Sequence, residues 1–268
     1  LFGSYVVLSA GAVVMLLPFF WMISASFKTL PEVLAIPPKW LPGQLSLRNY
    51  LEVFTQQPLF GRFFLNSLIV AIVTVGSVLL SSALAGYAFA KFEFRGKRAL
   101  FLFVLSTMMI PFQIRMVPLF VMMSDWKLVN TYAGLIVPGL VEGFGIFMMR
   151  QFIASIPNDL RDAARIDGAS EIDIFIRIIL PLIQPALSAL AIFTLIGNWE
   201  SFLWPLLIVN SDELRTLPIG LTLFSGRYVQ RLDLQMAAAT ITIAPMVIAF
   251  LFLQKRFVEG VTLTGLKG

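Results

Sequence analysis

Three ionisable side chains stand inside long apolar stretches of the chain: Arg115, Glu142 and Glu200. Charge in a hydrocarbon environment is costly, so such groups mark a pathway, a binding site or an internal pair. Arg115 lies toward the outer end of one stretch and Glu142 near the middle of the next. A helix rises ~1.5 Å per residue, so their backbones differ in depth by several ångströms, which an extended arginine can bridge. Two readings stay open. The two side chains can form a membrane-buried ion pair, or Arg115 can face a pathway and bind a carboxylate on a sugar, because a guanidinium matches a carboxylate with two parallel hydrogen bonds. The second reading favours an acidic oligosaccharide, such as a uronate fragment. Glu200 sits in Asn198-Trp199-Glu200-Ser201-Phe202 and serves either as a structural hydrogen-bonding group or as part of the same pathway. Trp199, Phe202 and Trp204 can stack on sugar rings or anchor at the membrane interface.

Much other chemistry is excluded. The chain has no cysteine and no histidine, so disulfides, thiolate or imidazole metal sites and Ser-His or Cys-His pairs cannot form. Gly96-Lys97 is followed by Arg98 and lacks the earlier glycine of a phosphate-cradling P-loop. If ATP drives this protein, another chain binds it.

The elements that must position these charges are helices in a bilayer. Of 268 residues, 58% are hydrophobic and only 13% charged, far from the quarter charged that soluble domains carry. Six apolar segments are long enough to cross a membrane, at about 5–26, 66–90, 99–122, 131–150, 178–208 and 235–254. Breakers interrupt several of them: Pro111 and Pro118 in the third, Gly197 and Pro205 in the fifth, Pro245 in the sixth. Broken helices within a membrane line a cavity or another helix, where the freed backbone groups find partners. The run Ser81-Ser82-Ala83-Leu84-Ala85-Gly86 suits close helix packing. The chain opens inside an apolar run without a basic n-region or a cleavage site, so 5–26 reads as a true span that a native cytoplasmic start would precede. The fold class is an all-α integral membrane protein, read as one transmembrane domain over 1–268.

Lys and Arg set the orientation. Lys91, Arg95, Lys97, Arg98, Arg150, Arg161, Arg165, Arg177, Lys255, Arg256 and Lys267 crowd the connections on one side, at about twice the density of the other. That side is cytoplasmic by the positive-inside tendency, and both termini face it. The net charge of +5 reflects these flanking residues rather than a nucleic-acid surface.

One polar segment breaks the apolar pattern. In Pro157-Asn158-Asp159-Leu160-Arg161-Asp162-Ala163-Ala164-Arg165-Ile166-Asp167-Gly168, Pro157 stops the incoming helix and Asn158 or Asp159 caps a new one. Ala163 and Ala164 permit close approach of another surface, and Gly168 permits a left-handed turn. On composition alone this is equally an ordinary amphipathic connector. Its spacing decides more. Asp162-Ala163-Ala164, then Gly168, then Leu180-Pro181 resembles the signature of permease subunits of ATP-binding-cassette importers, with Asp162 where Glu is usual. Asn66-Ser67-Leu68, Met109-Ile110-Pro111, Asn130-Thr131-Tyr132, Leu214-Arg215-Thr216-Leu217-Pro218 and the closing Gly265-Leu266-Lys267-Gly268 extend the resemblance over essentially the whole chain, toward the carbohydrate branch and its smaller maltose-type permease.

That resemblance implies a type I importer permease of six spans in a bacterial inner membrane. It pairs with a homologous second permease, two ATP-binding subunits that hold ATP and magnesium, and an extracytoplasmic solute-binding protein. It implies a coupling helix at about 159–171, with Asp162, Ala163, Ala164, Asp167, Gly168 and Pro181 engaging the ATPase. By position, the loop around Leu214, Arg215, Thr216, Leu217 and Pro218 would contact the binding protein. The expected function is sugar import by alternating access, with no catalysis in this chain. The expected pathway residues are Arg115, Glu142, Asn198, Trp199 and Glu200. A permease for another small solute, such as a glycerol phosphodiester, and an ion-driven secondary transporter are the alternatives.

Overall fold

A computed structural model describes residues 2–224 and 231–265. Part of the outer loop at 225–230, the closing Leu266-Lys267-Gly268 and the side chains of Lys255 and Arg256 lie outside the described residues. The described structure is helical. Three helices are long and apolar enough to cross a membrane: Gly3–Ser26, Phe60–Lys91 and Leu232–Phe252. Three further pairs of helices qualify together but are bent, by 102° between Lys97–Met108 and Phe112–Asp125, by 41° between Tyr132–Gly139 and Gly143–Ala154, and by 74° between Glu171–Leu182 and Gln184–Trp199. Counting each bent pair as one span gives up to six.

The bends have local causes. Pro111 lies in an extended conformation ahead of Phe112, as expected for a residue that cannot continue the preceding helix. Pro118 and Pro245, read as breakers, are instead carried inside the helices Phe112–Asp125 and Leu232–Gly265. The fifth stretch differs most from expectation. Instead of one run over 178–208, it begins at Glu171, winds into a π-helical turn at Phe175–Ile179, bends before Gln184 and stops at Trp199. Pro181 lacks an N–H and its ring crowds the preceding turn, and the wider π turn next to it relieves that conflict. Pro185 follows in the first turn of the next helix, where a missing N–H costs nothing.

The described chain divides into two compact units. The first comprises 1–66 and 215–247. In it, the N-terminal helix leads into a loop tied by buried Lys28, whose Nζ donates to the carbonyls of Lys39 and Trp40 and lies 4.2 Å over the Trp21 ring. Asn49 Nδ2 donates to the carbonyls of Ser26 and Lys28 at 2.9 and 2.7 Å. Arg231 joins Glu52 at 3.1 Å and Asp233 at 2.9 Å.

The second unit comprises 67–214 and 248–268 and carries the features of functional interest. Its main core gathers Val78, Ala83 and Tyr87 with Met149, Ile153, Ile174, Phe175, Ile179 and Leu190. Small residues allow this packing. A Cβ on Gly86 would stand 2.5 Å from Met149 Cβ, and one on Gly145 would stand 2.3 Å from Ser82 Oγ. The small-residue run therefore does what its composition suggests: it brings Phe60–Lys91 against Gly143–Ala154 at close range.

Candidate functional site: a polar helix clamped to the bundle and a cavity at the helix breaks

The polar segment forms a helix over Asp159–Ile166, shorter than the expected 159–171. Gly168 ends it with φ +83°. The Ala169 N–H reaches back to the Ala164 carbonyl at 2.9 Å and the Gly168 N–H to Arg165 at 3.0 Å, the paired bonds of a Schellman turn. A second helix then starts at Glu171, with Ser170 Oγ accepting from the Asp173 N–H. Asn158 occupies the N-cap position, but its side chain does not cap. It accepts a hydrogen bond from Lys91 Nζ at 2.8 Å instead, and Lys91 also donates to the Ile156 carbonyl at 2.5 Å.

Arg161 and Arg165 are four residues apart and share one face of this helix. Both reach Glu171. Arg165 Nε donates to Glu171 Oε1 at 2.7 Å, and Arg161 approaches both carboxylate oxygens at 3.4 Å. Tyr87, on the long helix Phe60–Lys91, donates its hydroxyl to Glu171 Oε2 at 2.8 Å. Arg161 is buried, donates to the Lys91 carbonyl at 2.6 Å and lies 4.5 Å over the Phe92 ring. One carboxylate thus collects two guanidinium groups and a phenol from two other elements. Ala164 turns inward and packs on the main core.

The opposite face is bare. Asp162, Ala163, Asp167 and Gly168 are exposed, and Ile166 keeps 86% of its surface accessible. Asp162 has a loose 3.8 Å pairing with Arg165. Asp167 and Gly168 open a cavity of about 520 Å³ with Ala169, Asp173, Arg177 and Ile178. Pro181 is exposed on the next helix, beyond the π turn.

A second cavity, of about 720 Å³, brings together Arg115, Glu142, Thr194 and Asn198. Each of the first two, and Asn198, sits near a helix break. Arg115 is in the first turn after Pro111. Glu142 lies at the middle of the fourth span, as expected, but as the extended residue at its break, just before Gly143–Ala154. Asn198 is in the last turn before Glu200. The break at 140–142 frees the Leu140 carbonyl, which accepts from Ser77 Oγ at 2.9 Å. Glu142 Oε2 accepts from Thr194 Oγ1 at 3.5 Å, and a carboxylate at a helix N-terminus suits the helix dipole. Among the described residues no ion pair joins Arg115 to Glu142, and both are exposed to the cavity. Trp199 and Glu200 do not line it. Trp199 is buried and Glu200 is the exposed C-cap of Gln184–Trp199.

At the segment Leu214–Pro218, Thr216 and Leu217 are buried and the Arg215 carbonyl accepts from Asn66 Nδ2 at 2.8 Å. Sequence reasoning missed Tyr87, Glu171 and Thr194. Glu171 follows a Ser cap within the polar motif, a signal that marks a helix start but not its partners.

Residues 77–263 match the family described as binding-protein-dependent transport system inner membrane component. The chain belongs to this family. The permease is 41% identical over 259 residues to the arabinooligosaccharides transport system permease protein AraQ of Halalkalibacterium halodurans, covering 96% of this chain and 93% of that one. It is 33% identical over 255 residues to the sulfoquinovosyl glycerol transport system permease protein SmoH of Agrobacterium fabrum, covering 94% and 89%. Its fold matches a chain of a bacterial ABC transporter involved in the import of the acidic polysaccharide alginate, with a TM-score of 0.83 at 24% identity over 96% and 95% of the two chains. The permease is therefore a multi-pass inner-membrane component of a binding-protein-dependent ABC importer, and a transporter subunit rather than an enzyme. Membership sets aside the ion-driven reading.

Proposed function

We propose that this permease forms, with a homologous second permease, the path of an oligosaccharide importer. Two ATP-binding subunits drive it and an extracytoplasmic solute-binding protein feeds it. The relatives named for arabinooligosaccharides and sulfoquinovosyl glycerol support a sugar cargo. The observation that carries the mechanical part is the two-faced helix Asp159–Ile166, held to the bundle through Glu171 and bare on its other side.

The helix works as a lever. An ATPase groove takes the exposed Ile166 with Asp162, Ala163, Asp167 and Gly168 around it. When ATP closes the ATPase pair, the helix moves. Arg161 and Arg165 pass that motion to Glu171, at the head of Glu171–Leu182, and through Lys91 to the end of Phe60–Lys91. Val78 of that long helix lines the cavity, as do Phe193, Thr194 and Asn198 beyond the 74° bend. A rigid-body shift at the cytoplasmic side is thereby delivered to the sugar path, as alternating access requires. Pro181, beside the π turn, lies on this route. Both termini face the cytoplasm, and the loop resting on Leu214, Arg215, Thr216, Leu217 and Pro218 meets the binding protein from the other side.

In the cavity, Arg115 offers donors and Glu142, Thr194 and Asn198 offer a mixed set for sugar hydroxyls, while Trp199 and Glu200 support the helix end. Since no described ion pair ties it to Glu142, the Arg115 guanidinium is available to an anionic sugar group. Uptake measured in proteoliposomes of the assembled importer tests both parts. Ile166→Asp should reduce ATPase retention and uptake together. Arg115→Ala should abolish uptake of an acidic oligosaccharide while assembly and basal ATP hydrolysis persist. Unchanged uptake in either variant overturns the corresponding assignment.

A further inference from the structure

A basic pocket lies apart from the lever helix and the sugar path. It holds about 700 Å³, and its lining includes Glu93, Phe94, Lys97, Arg98, Phe101 and Arg150. The helix Lys97–Met108 begins here, after Gly96 at φ +82°. No side chain caps it, and its first turn holds Lys97 and Arg98 but no acidic residue. A helix N-terminus already carries a partial positive charge, so two cations there are electrostatically disfavoured without an anion. Arg150 adds a third. Its guanidinium lies 4.1 Å over the Phe101 ring, and its buried Nε has no hydrogen-bond partner among the described residues. A buried donor without an acceptor is unfavourable, and the partly exposed guanidinium brings its positive charge to the lining. The one carboxylate in the lining, Glu93, is 90% exposed and pairs with Lys97 at 2.8 Å.

The walls show what kind of anion fits. Phe94, Phe101 and Leu102 line the pocket, and Leu100 is exposed beside them. Cations over an apolar ramp match an amphiphile with a phosphate head and hydrocarbon tails rather than a fully hydrated ion. The loop lies on the side where Lys and Arg concentrate, which is the side of the anionic leaflet. We propose that this pocket binds the headgroup of an anionic phospholipid, with Arg98, Arg150 and the helix N-terminus around the phosphate and the acyl chains along Leu100 and Leu102. This goes beyond the transport reading and does not depend on the lever.

The test uses the assembled importer in vesicles of phosphatidylcholine, alone or mixed in equal parts with phosphatidylglycerol. Fluorescent analogues of the two lipids report retention. The wild type should retain phosphatidylglycerol at least tenfold over phosphatidylcholine. Arg98→Gln and Arg150→Gln should each lower that preference by about fivefold, the typical effect of one basic residue at an anionic surface. Arg98 is exposed, so its variant stays informative if Arg150→Gln assembles poorly. Glu93→Gln should raise the preference, and Lys39→Gln should leave it unchanged. Equal retention of the two lipids, or an undiminished preference in Arg98→Gln, overturns the proposal. So does displacement of the lipid by free glycerol phosphate, which would make this a soluble-anion site. Loss of ATPase subunits in Arg98→Gln with lipid preference intact would make the pocket a protein contact and overturn it as well.

Discussion

Glu171→Ala tests the lever most directly, because one carboxylate holds three elements together. The hydroxyl of Tyr87 donates to it at 2.8 Å, and a hydrogen bond to a charged group contributes about 1.5–3 kcal/mol. Arg165 is 45% exposed, so its contact is screened by solvent and adds about 0–1 kcal/mol. Arg161 is only 10% exposed and would keep the Lys91 carbonyl and the Phe92 ring, so its loss is partial. The total is about 2–4 kcal/mol of docking free energy, with about 1.4 kcal/mol per factor of ten. The docked helix should therefore lose roughly a hundredfold in population relative to the undocked one. In proteoliposomes of the assembled importer, ATP hydrolysis should continue while sugar uptake per ATP falls at least tenfold. Glu171→Gln keeps an acceptor for Tyr87 and should fall between wild type and alanine. Unchanged uptake per ATP in Glu171→Ala, with the subunits present in normal ratio, would show that motion does not pass through this carboxylate.

Other outcomes follow from the same geometry. Gly168 has open space where a Cβ would stand but holds φ +83°, so Gly168→Ala should strain the turn by about 1 kcal/mol. Gly168→Asn, which tolerates that backbone, should keep the helix end and obstruct only the exposed surface proposed to meet the ATPase; circular dichroism and uptake per ATP, measured on both variants, separate the two effects. Gly86→Leu forces side-chain atoms into Met149 and the Arg150 backbone and should cost about 1–3 kcal/mol, read as a lower thermal midpoint of the assembled complex. Asn130 holds φ +57° while its Oδ1 accepts from the backbone of Asn210 and Ser211 at 3.0 Å. Asn130→Ala should therefore speed amide exchange at both positions, and more than Asn130→Gly, which loses the same acceptor without straining the backbone. The N–H groups of Thr29 and then Gly43 hold the Glu32 carboxyl below its ordinary value of 4.5. A depressed carboxyl stabilises the loop above that ordinary value and loses the effect as pH falls through its own lower one, so the Gly43 amide should exchange faster relative to its intrinsic rate at acid pH, and Glu32→Gln should remove the dependence.

The parts of this fold that hydropathy controls were legible, and the parts that depend on where a helix bends were not. Lipid requires long apolar helices, so the stretches around 5–26 and 66–90 stand out from composition alone. A window average is blind to direction, and it therefore merges 178–208 into one run where the chain bends by 74° before Gln184 and ends its helix at Trp199. The same blindness places Glu142 at mid-span, where it does lie, but reads that span as unbroken, although Glu142 is an extended residue at its 41° break. The correction carries functional meaning. A charge in a continuous span must find a neighbour or suffer desolvation, whereas at a break it meets a helix N-terminus and a cavity already shaped by freed backbone groups. Arg115 and Asn198 stand near breaks of their own and line that same cavity, so the polar groups and the helix interruptions belong to one feature.

The lever divides in the same way. Its helix, its glycine turn and its bare face follow from local spacing, since Arg161 and Arg165 at an interval of four must share a side and Gly168 can adopt a positive φ. Its attachment does not, because Tyr87 precedes Glu171 by 84 residues and no local pattern joins them. A docking helix that served only to be recognised would need no such attachment. The buried guanidinium of Arg161, the shared carboxylate of Glu171 and the phenol of Tyr87 make sense together if the helix must transmit force, since a lever without a stiff joint would dissipate the motion that the proposed ATP-binding partners supply.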